Sequence, residues 1–174
     1  MKKIISIFCL LVLIVFVLSG CKQKQKRINI TFDGKEGKIV FAVKEDNKYK
    51  ISSDSKEFRT TREQGVLVGK NFKIGIEFSD DLDYYSNGDF EKLKESRKKE
   101  EDYKEVTYSG TNGIEYFYGN YQRYDIYLPI KNDKKNVLIL TIYGSKDTKE
   151  SAKKALKSEE VQDILNNIIS FNAK

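Results

Sequence analysis

The stretch Val137–Gly144, VLILTIYG, is apolar on both of the faces that a strand presents. Such a segment is stable only where both sides are covered, so it predicts the central strand of a covered sheet. The residues before it predict its neighbours. QRYDIYLPI places Tyr124, Ile126, Leu128 and Ile130 on one face by period two. EVTYSG and IEYFYGN flank Thr111-Asn112-Gly113, a hairpin-turn sequence because Asn-Gly accepts positive φ. Gly119-Asn120 predicts another turn, and the polar run from Lys131 to Asn136 a loop. Further upstream, Phe72, Ile74, Ile76 and Phe78 alternate with Lys73, Gly75 and Glu77. INITFD and IVFAV alternate in the same way, with a turn expected from Gly34 to Gly37.

Helical signals are interleaved with these strands. DFEKLKESRKKEEDY, from Asp89 to about Tyr103, is rich in helix formers, with a thin apolar stripe through Phe90, Leu93 and the stem of Arg97. KESAKKALK predicts a helix capped by Asp147 or Thr148, with Glu150 in its first turn. Val161, Ile164, Leu165, Ile168 and Ile169 follow i, i+3, i+4, i+7, i+8, which predicts an amphipathic C-terminal helix. The expected class is α+β: an antiparallel sheet of about six or seven strands with two or three helices packed against it. The 174 residues suit one such domain, expected over residues 28–174.

The first 27 residues differ in kind. Lys2 and Lys3 precede Ile4 to Leu18, fifteen residues that are apolar apart from Ser6. As a helix they would cover only ~22 Å, short of a bilayer core of about 30 Å. The length suits the hydrophobic region of a signal peptide. The run ends in Leu18-Ser19-Gly20-Cys21 and turns basic through Lys22 to Arg27.

LSGC resembles the lipobox of bacterial lipoproteins at every position. The resemblance implies a signal peptide over residues 1–20, cleaved between Gly20 and Cys21, and a diacylglyceryl group on the Cys21 sulfur. N-acylation of the new terminus is left open. A thiolate is the best nucleophile for such an alkylation, and two acyl chains anchor stably where one is marginal. Residues 21–27 then form a lipidated tether whose four basic residues are a solvated spacer or a contact with anionic headgroups. The implied place is the cell membrane, on its extracytoplasmic face, with the bilayer as a partner through the anchor. Usage rich in Lys, Ile and Asn, without Trp, suggests a Gram-positive source.

The body carries a second resemblance, of pattern rather than motif. Over roughly residues 65–172, the turn and strand NGIEYFYGN, the two strands after it and the closing EEVQDILNNIISF are similar to the C-terminal half of the PsbP/Mog1-like fold. Domains of that kind are mostly binding or assembly modules. No site residue carries over.

Several chemistries are excluded or unsupported. The chain has no His and two Cys, of which Cys9 lies in the apolar run. That removes a Cys–His nucleophile, the common zinc sites and an intrachain disulfide of the mature chain. The net charge of +6 falls to +4 without Lys2 and Lys3, and Lys and Glu interleave, so no basic stripe predicts nucleic-acid binding. The acidic run Ser79–Asp89 fails the calcium-loop pattern, because its glycine is misplaced from Asp81 and its third ligand is Tyr85 from Asp83. No catalytic residue, metal or cofactor beyond the covalent lipid is expected.

Ten of the eleven tyrosines lie between Tyr84 and Tyr143. Tyr121, Arg123, Asp125 and Tyr127 share the face opposite Tyr124 and Ile126, and they are the candidate ligand surface, since Tyr joins a large apolar body to a polar tip. Tyr also simply favours half-exposed strands. The expected function is a non-enzymatic binding or assembly module with an envelope protein or peptide as partner; an immunity or exclusion lipoprotein is one such form. The alternative is a small envelope hydrolase working through carboxylates alone, which would need two of them converging in a pocket.

Overall fold

A computed structural model describes residues 26–174. The expected signal peptide over 1–20, the cleavage position Gly20 and Cys21, and the tether up to residue 25 lie outside the described residues. The last tether position, Arg27, is already structural: it opens the first strand and forms an ion pair with Asp163 at 2.6 Å.

The class is α+β, with ten strands in two antiparallel sheets and four α-helices among the described residues. A small sheet contains β1 (Arg27–Asp33), β2 (Gly37–Lys44) and β10 (Ile168–Ala173), with β2 in the middle. The larger sheet has seven strands: β3 (Lys50–Ser52), β4 (Gly65–Val68), β5 (Phe72–Ser79), β6 (Glu101–Tyr108), β7 (Thr111–Tyr118), β8 (Arg123–Pro129) and β9 (Val137–Gly144). Their spatial order is β3-β4-β5-β9-β8-β7-β6. β9 is therefore the middle strand, as its two apolar faces predict, and all eight of its residues are buried.

The helices are α1 (Asp81–Ser86), α2 (Phe90–Arg97), α3 (Lys149–Leu156) and α4 (Glu159–Leu165). Local chemistry sets their starts. Asp89, Thr148 and Ser158 accept backbone N–H groups at the first turns of α2, α3 and α4. Asn87 and Gly88 close α1 with positive φ, a conformation that suits Gly and Asn.

One face of the large sheet carries Phe72, Ile74, Ile76 and Phe78 of β5, Leu138, Leu140 and Ile142 of β9, and Tyr124, Ile126 and Leu128 of β8. The small sheet adds Ile39, Phe41 and Val43, and α3 and α4 add Ala152, Leu156, Val161, Ile164 and Leu165. This is the main core. A smaller cluster occupies part of the opposite face, where Leu82 of α1 and Leu93 of α2 meet Ile114, Tyr116, Tyr127, Val137 and Ile139.

Four expectations are corrected. The helix expected to run from Asp89 to Tyr103 stops at Arg97, and the chain enters β6 at Glu101. There Tyr103 and Val106 pack against the two cores from a strand, and tertiary packing overrides helix propensity. The hairpin turn is not Asn112-Gly113. Tyr108 pairs with Thr111, so the turn is Ser109-Gly110, both with positive φ, and Asn112-Gly113 sit inside β7.

The C-terminal helix ends at Leu165, and Ile168 and Ile169 belong to β10. The amides of Asn166 and Asn167 reach back to the carbonyls of Gln162 and Asp163, at 2.8 and 2.7 Å. They compete there with a further helical turn. Ile169 is 54% exposed, so it takes no part in a buried helical stripe. Finally, among the described residues the α-helices number four rather than two or three, and the strands beyond seven form the separate small sheet.

Candidate functional site

Strand register lays out the second face of the large sheet in rows. One row runs Tyr116, Asp125, Thr141, Gly75 across β7, β8, β9 and β5. The next runs Ile114, Tyr127, Ile139, Glu77. On the other side, Tyr118 pairs with Arg123, and Tyr143 with Lys73. Polar side chains thus replace apolar ones over half of a face that the structure covers. Buried charge needs compensation, and it comes from two sources.

The first source is the segment before β4. Arg62 places Nε 2.8 Å from Glu77 and Nη2 2.6 Å from Asp81 and 2.7 Å from Ser79 Oγ. Glu63 lies flat on the sheet. Its carboxylate accepts from the Tyr143 hydroxyl, from Thr141 Oγ1 at 3.4 Å and from the Arg59 backbone N–H at 2.9 Å. The second source is β8 itself. Arg123 donates from Nη1 to Tyr143 Oη at 2.9 Å and from Nη2 to Asp125 at 3.2 Å. Arg123 Nε lies 2.6 Å from Asp125 Oδ1. These two buried atoms form the ion pair of the site and have no other partner among the described residues.

Above these groups is a cavity of about 190 Å³, lined by Thr60, Thr61, Arg62, Tyr85, Arg97, Tyr116, Tyr118, Tyr121, Arg123, Asp125 and Tyr127. All four residues of the predicted ligand surface line it. They do not form one exposed surface. Arg123 and Asp125 are 5% and 3% exposed and Tyr127 is equally buried, while Tyr121 stands 49% exposed. Tyr118 and Tyr121 stack at 5.6 Å. Arg123 lies over both rings, at 5.5 and 5.0 Å. Arg97, from the last turn of α2, lies 4.9 Å from the Tyr85 ring and 5.9 and 5.8 Å from those of Tyr116 and Tyr127.

Burial sets the protonation of these groups. It pushes Asp125 up from the usual carboxylate range, against the pull of Arg123. It lifts Glu77 to about 7 even though Arg62 pulls it down. Burial also raises Tyr116, Tyr127 and Tyr143, so their hydroxyls remain protonated.

Sequence reading found the β8 residues because period two exposes them. It missed Arg62, Glu63, Glu77 and Asp81, and it read Arg97 as a stem on an apolar stripe. A signal for Glu77 is present, since it lies on the opposite face from Phe72, Ile74, Ile76 and Phe78. Among the described residues, no group of three or more Cys, Asp or Glu stands together to hold a metal, and no helix is long and apolar enough to cross a membrane. Comparisons with family models, with curated proteins and with solved structures returned no match to this chain.

Proposed function

We propose that the protein is an extracytoplasmic binding module, held on the cell membrane by a lipid on Cys21, and that it binds through the Tyr/Arg cavity. The observation that carries the binding reading is this cavity: half of a sheet face is given over to arginines, carboxylates and tyrosines where apolar residues would stabilise the fold more simply. Sequence alone supports the anchor, through LSGC at the end of a short apolar run. The PsbP/Mog1-like resemblance adds the same expectation of a binding or assembly role. An immunity or exclusion lipoprotein that sequesters a peptide is one form of it.

A carboxylate hydrolase is less well supported. Such an enzyme needs two carboxylates facing one space. Asp125 lines the cavity, whereas Glu77 and Asp81 are turned onto Arg62.

The test is a pull-down from detergent-solubilised membranes with the full-length protein and its Tyr121→Ala variant, read by mass spectrometry. The wild type is expected to begin at a lipid-modified Cys21 and to retain a component that the variant loses. A mature chain beginning at Met1 without lipid would remove the anchor. Equal recovery of every component by both proteins would remove the cavity as the binding site.

A further inference from the structure

The three arginines of the cavity are not equivalent. Arg62 is held by Glu77 and Asp81, and Arg123 by Asp125. Among the described residues Arg97 has no such partner at hydrogen-bond distance: Glu100 is its nearest carboxylate there, at 3.8 Å from Nη1. Its Nε is buried without a hydrogen-bond acceptor among the described residues, and the Thr60 hydroxyl, of a residue lining the same cavity, is likewise buried and unpartnered among them. Buried donors left in this condition are costly to the free protein and are satisfied when an acceptor arrives.

Resting on the binding role proposed above, we infer that the cavity takes a monoanionic carboxylate, received by the Arg97 guanidinium with Thr60 as a second polar contact. A guanidinium fork matches a carboxylate in plane and spacing. The opposite charge is disfavoured. A cation would need open ring faces, and those of Tyr85, Tyr116 and Tyr127 lie against Arg97, while those of Tyr118 and Tyr121 lie against Arg123. A phosphate dianion is disfavoured too, because only one guanidinium lacks a carboxylate at hydrogen-bond distance and Asp125 stands in the wall. The volume of about 190 Å³ admits a small acid or the end of a peptide, but not a large ligand.

The test is calorimetric titration of the full-length protein in detergent with benzoate, with a short peptide bearing a free C-terminal carboxylate, with the same peptide amidated, with inorganic phosphate and with tetramethylammonium. Binding of benzoate or the free-carboxylate peptide is expected, weakened roughly 10- to 100-fold in Arg97→Gln and less in Arg97→Lys. Urea unfolding of the variants checks that they remain folded. Benzoate alone binding indicates a free acid; the peptide binding with loss on amidation indicates a chain terminus. Preference for phosphate or tetramethylammonium, or carboxylate binding that is unchanged in Arg97→Gln, overturns the inference. If no probe binds but the wild type still retains a membrane component that Tyr121→Ala loses, the carboxylate assignment falls and the binding role stands. If that retention is absent as well, both fall.

Discussion

Glu63 lies over Gly75. A methyl group at residue 75 would come within 2.8 Å of the Glu63 carboxyl carbon and closer still to Thr141 Oγ1. The missing side chain in the middle of β5 is what lets a carboxylate reach Thr141 and Tyr143 across the sheet. Gly75→Ala is therefore expected to destabilise the protein by about 1–3 kcal/mol, measured by urea unfolding. In a Glu63→Ala background, with the carboxylate gone, the cost is expected to shrink. An equal cost in both backgrounds would show that the two positions are not coupled.

Arg123 and Asp125 form the most deeply buried ion pair of the cavity. Removing one partner leaves the other charge uncompensated. Arg123→Leu is expected to cost about 3–5 kcal/mol, while the double substitution Arg123→Leu/Asp125→Leu is expected to cost less than Arg123→Leu alone. Denaturant midpoints of the two variants decide this.

Glu77 predicts a pH dependence. Its folded-state pKa of about 7 lies above the ordinary 4.5, chiefly because of burial. The folded protein thus holds this proton more tightly than the unfolded chain. The resulting stabilisation is full below pH 4.5 and is lost as pH rises through about 7, a change of about 3 kcal/mol. Asp125, raised by burial, acts in the same direction. Unfolding measured between pH 4.5 and 8 should show stability declining over that window from these groups, with a shallower decline in Glu77→Gln. An identical profile in that variant would refute the assignment.

Ser109 ties the β6–β7 turn to the junction after α4. Its hydroxyl donates to the Leu165 carbonyl at 2.9 Å and accepts the Ile168 N–H at 2.8 Å. Ser109→Ala keeps the positive φ of 50° but loses both bonds, and it should cost about 1–3 kcal/mol. Amide exchange at Ile168 should accelerate in the variant, and an unchanged rate would show that the hydroxyl is not what holds this strand in place.

The large sheet was legible where one property repeats along the chain. β5 and β8 carry their faces in period two, so Ile74 and Ile126 could be assigned to the core and Asp125 to the opposite side without knowing the partners, and β9, apolar on both faces, could be assigned to the centre. β3 and β4 were not legible, because three- and four-residue strands hold too few repeats to display a period. The cavity was half legible for a related reason. Its β8 residues obey the local alternation, but Arg62 and Arg97 arrive from a loop and a helix end. Their positions depend on packing between elements far apart in sequence, which no local pattern encodes. At the C-terminus the helical spacing ran on through Ile168 and Ile169, and the two asparagines before them were the only hint of a stop.

The small sheet joins residues 37–44 to residues 168–173. Ile39 and Phe41 cannot be fully sheltered until nearly all the intervening chain is in place, and closing so long a loop is a slow step. The β2–β10 seam is consequently expected to close late, and a substitution that hindered β10 from docking would leave the opening hairpin vulnerable to proteases.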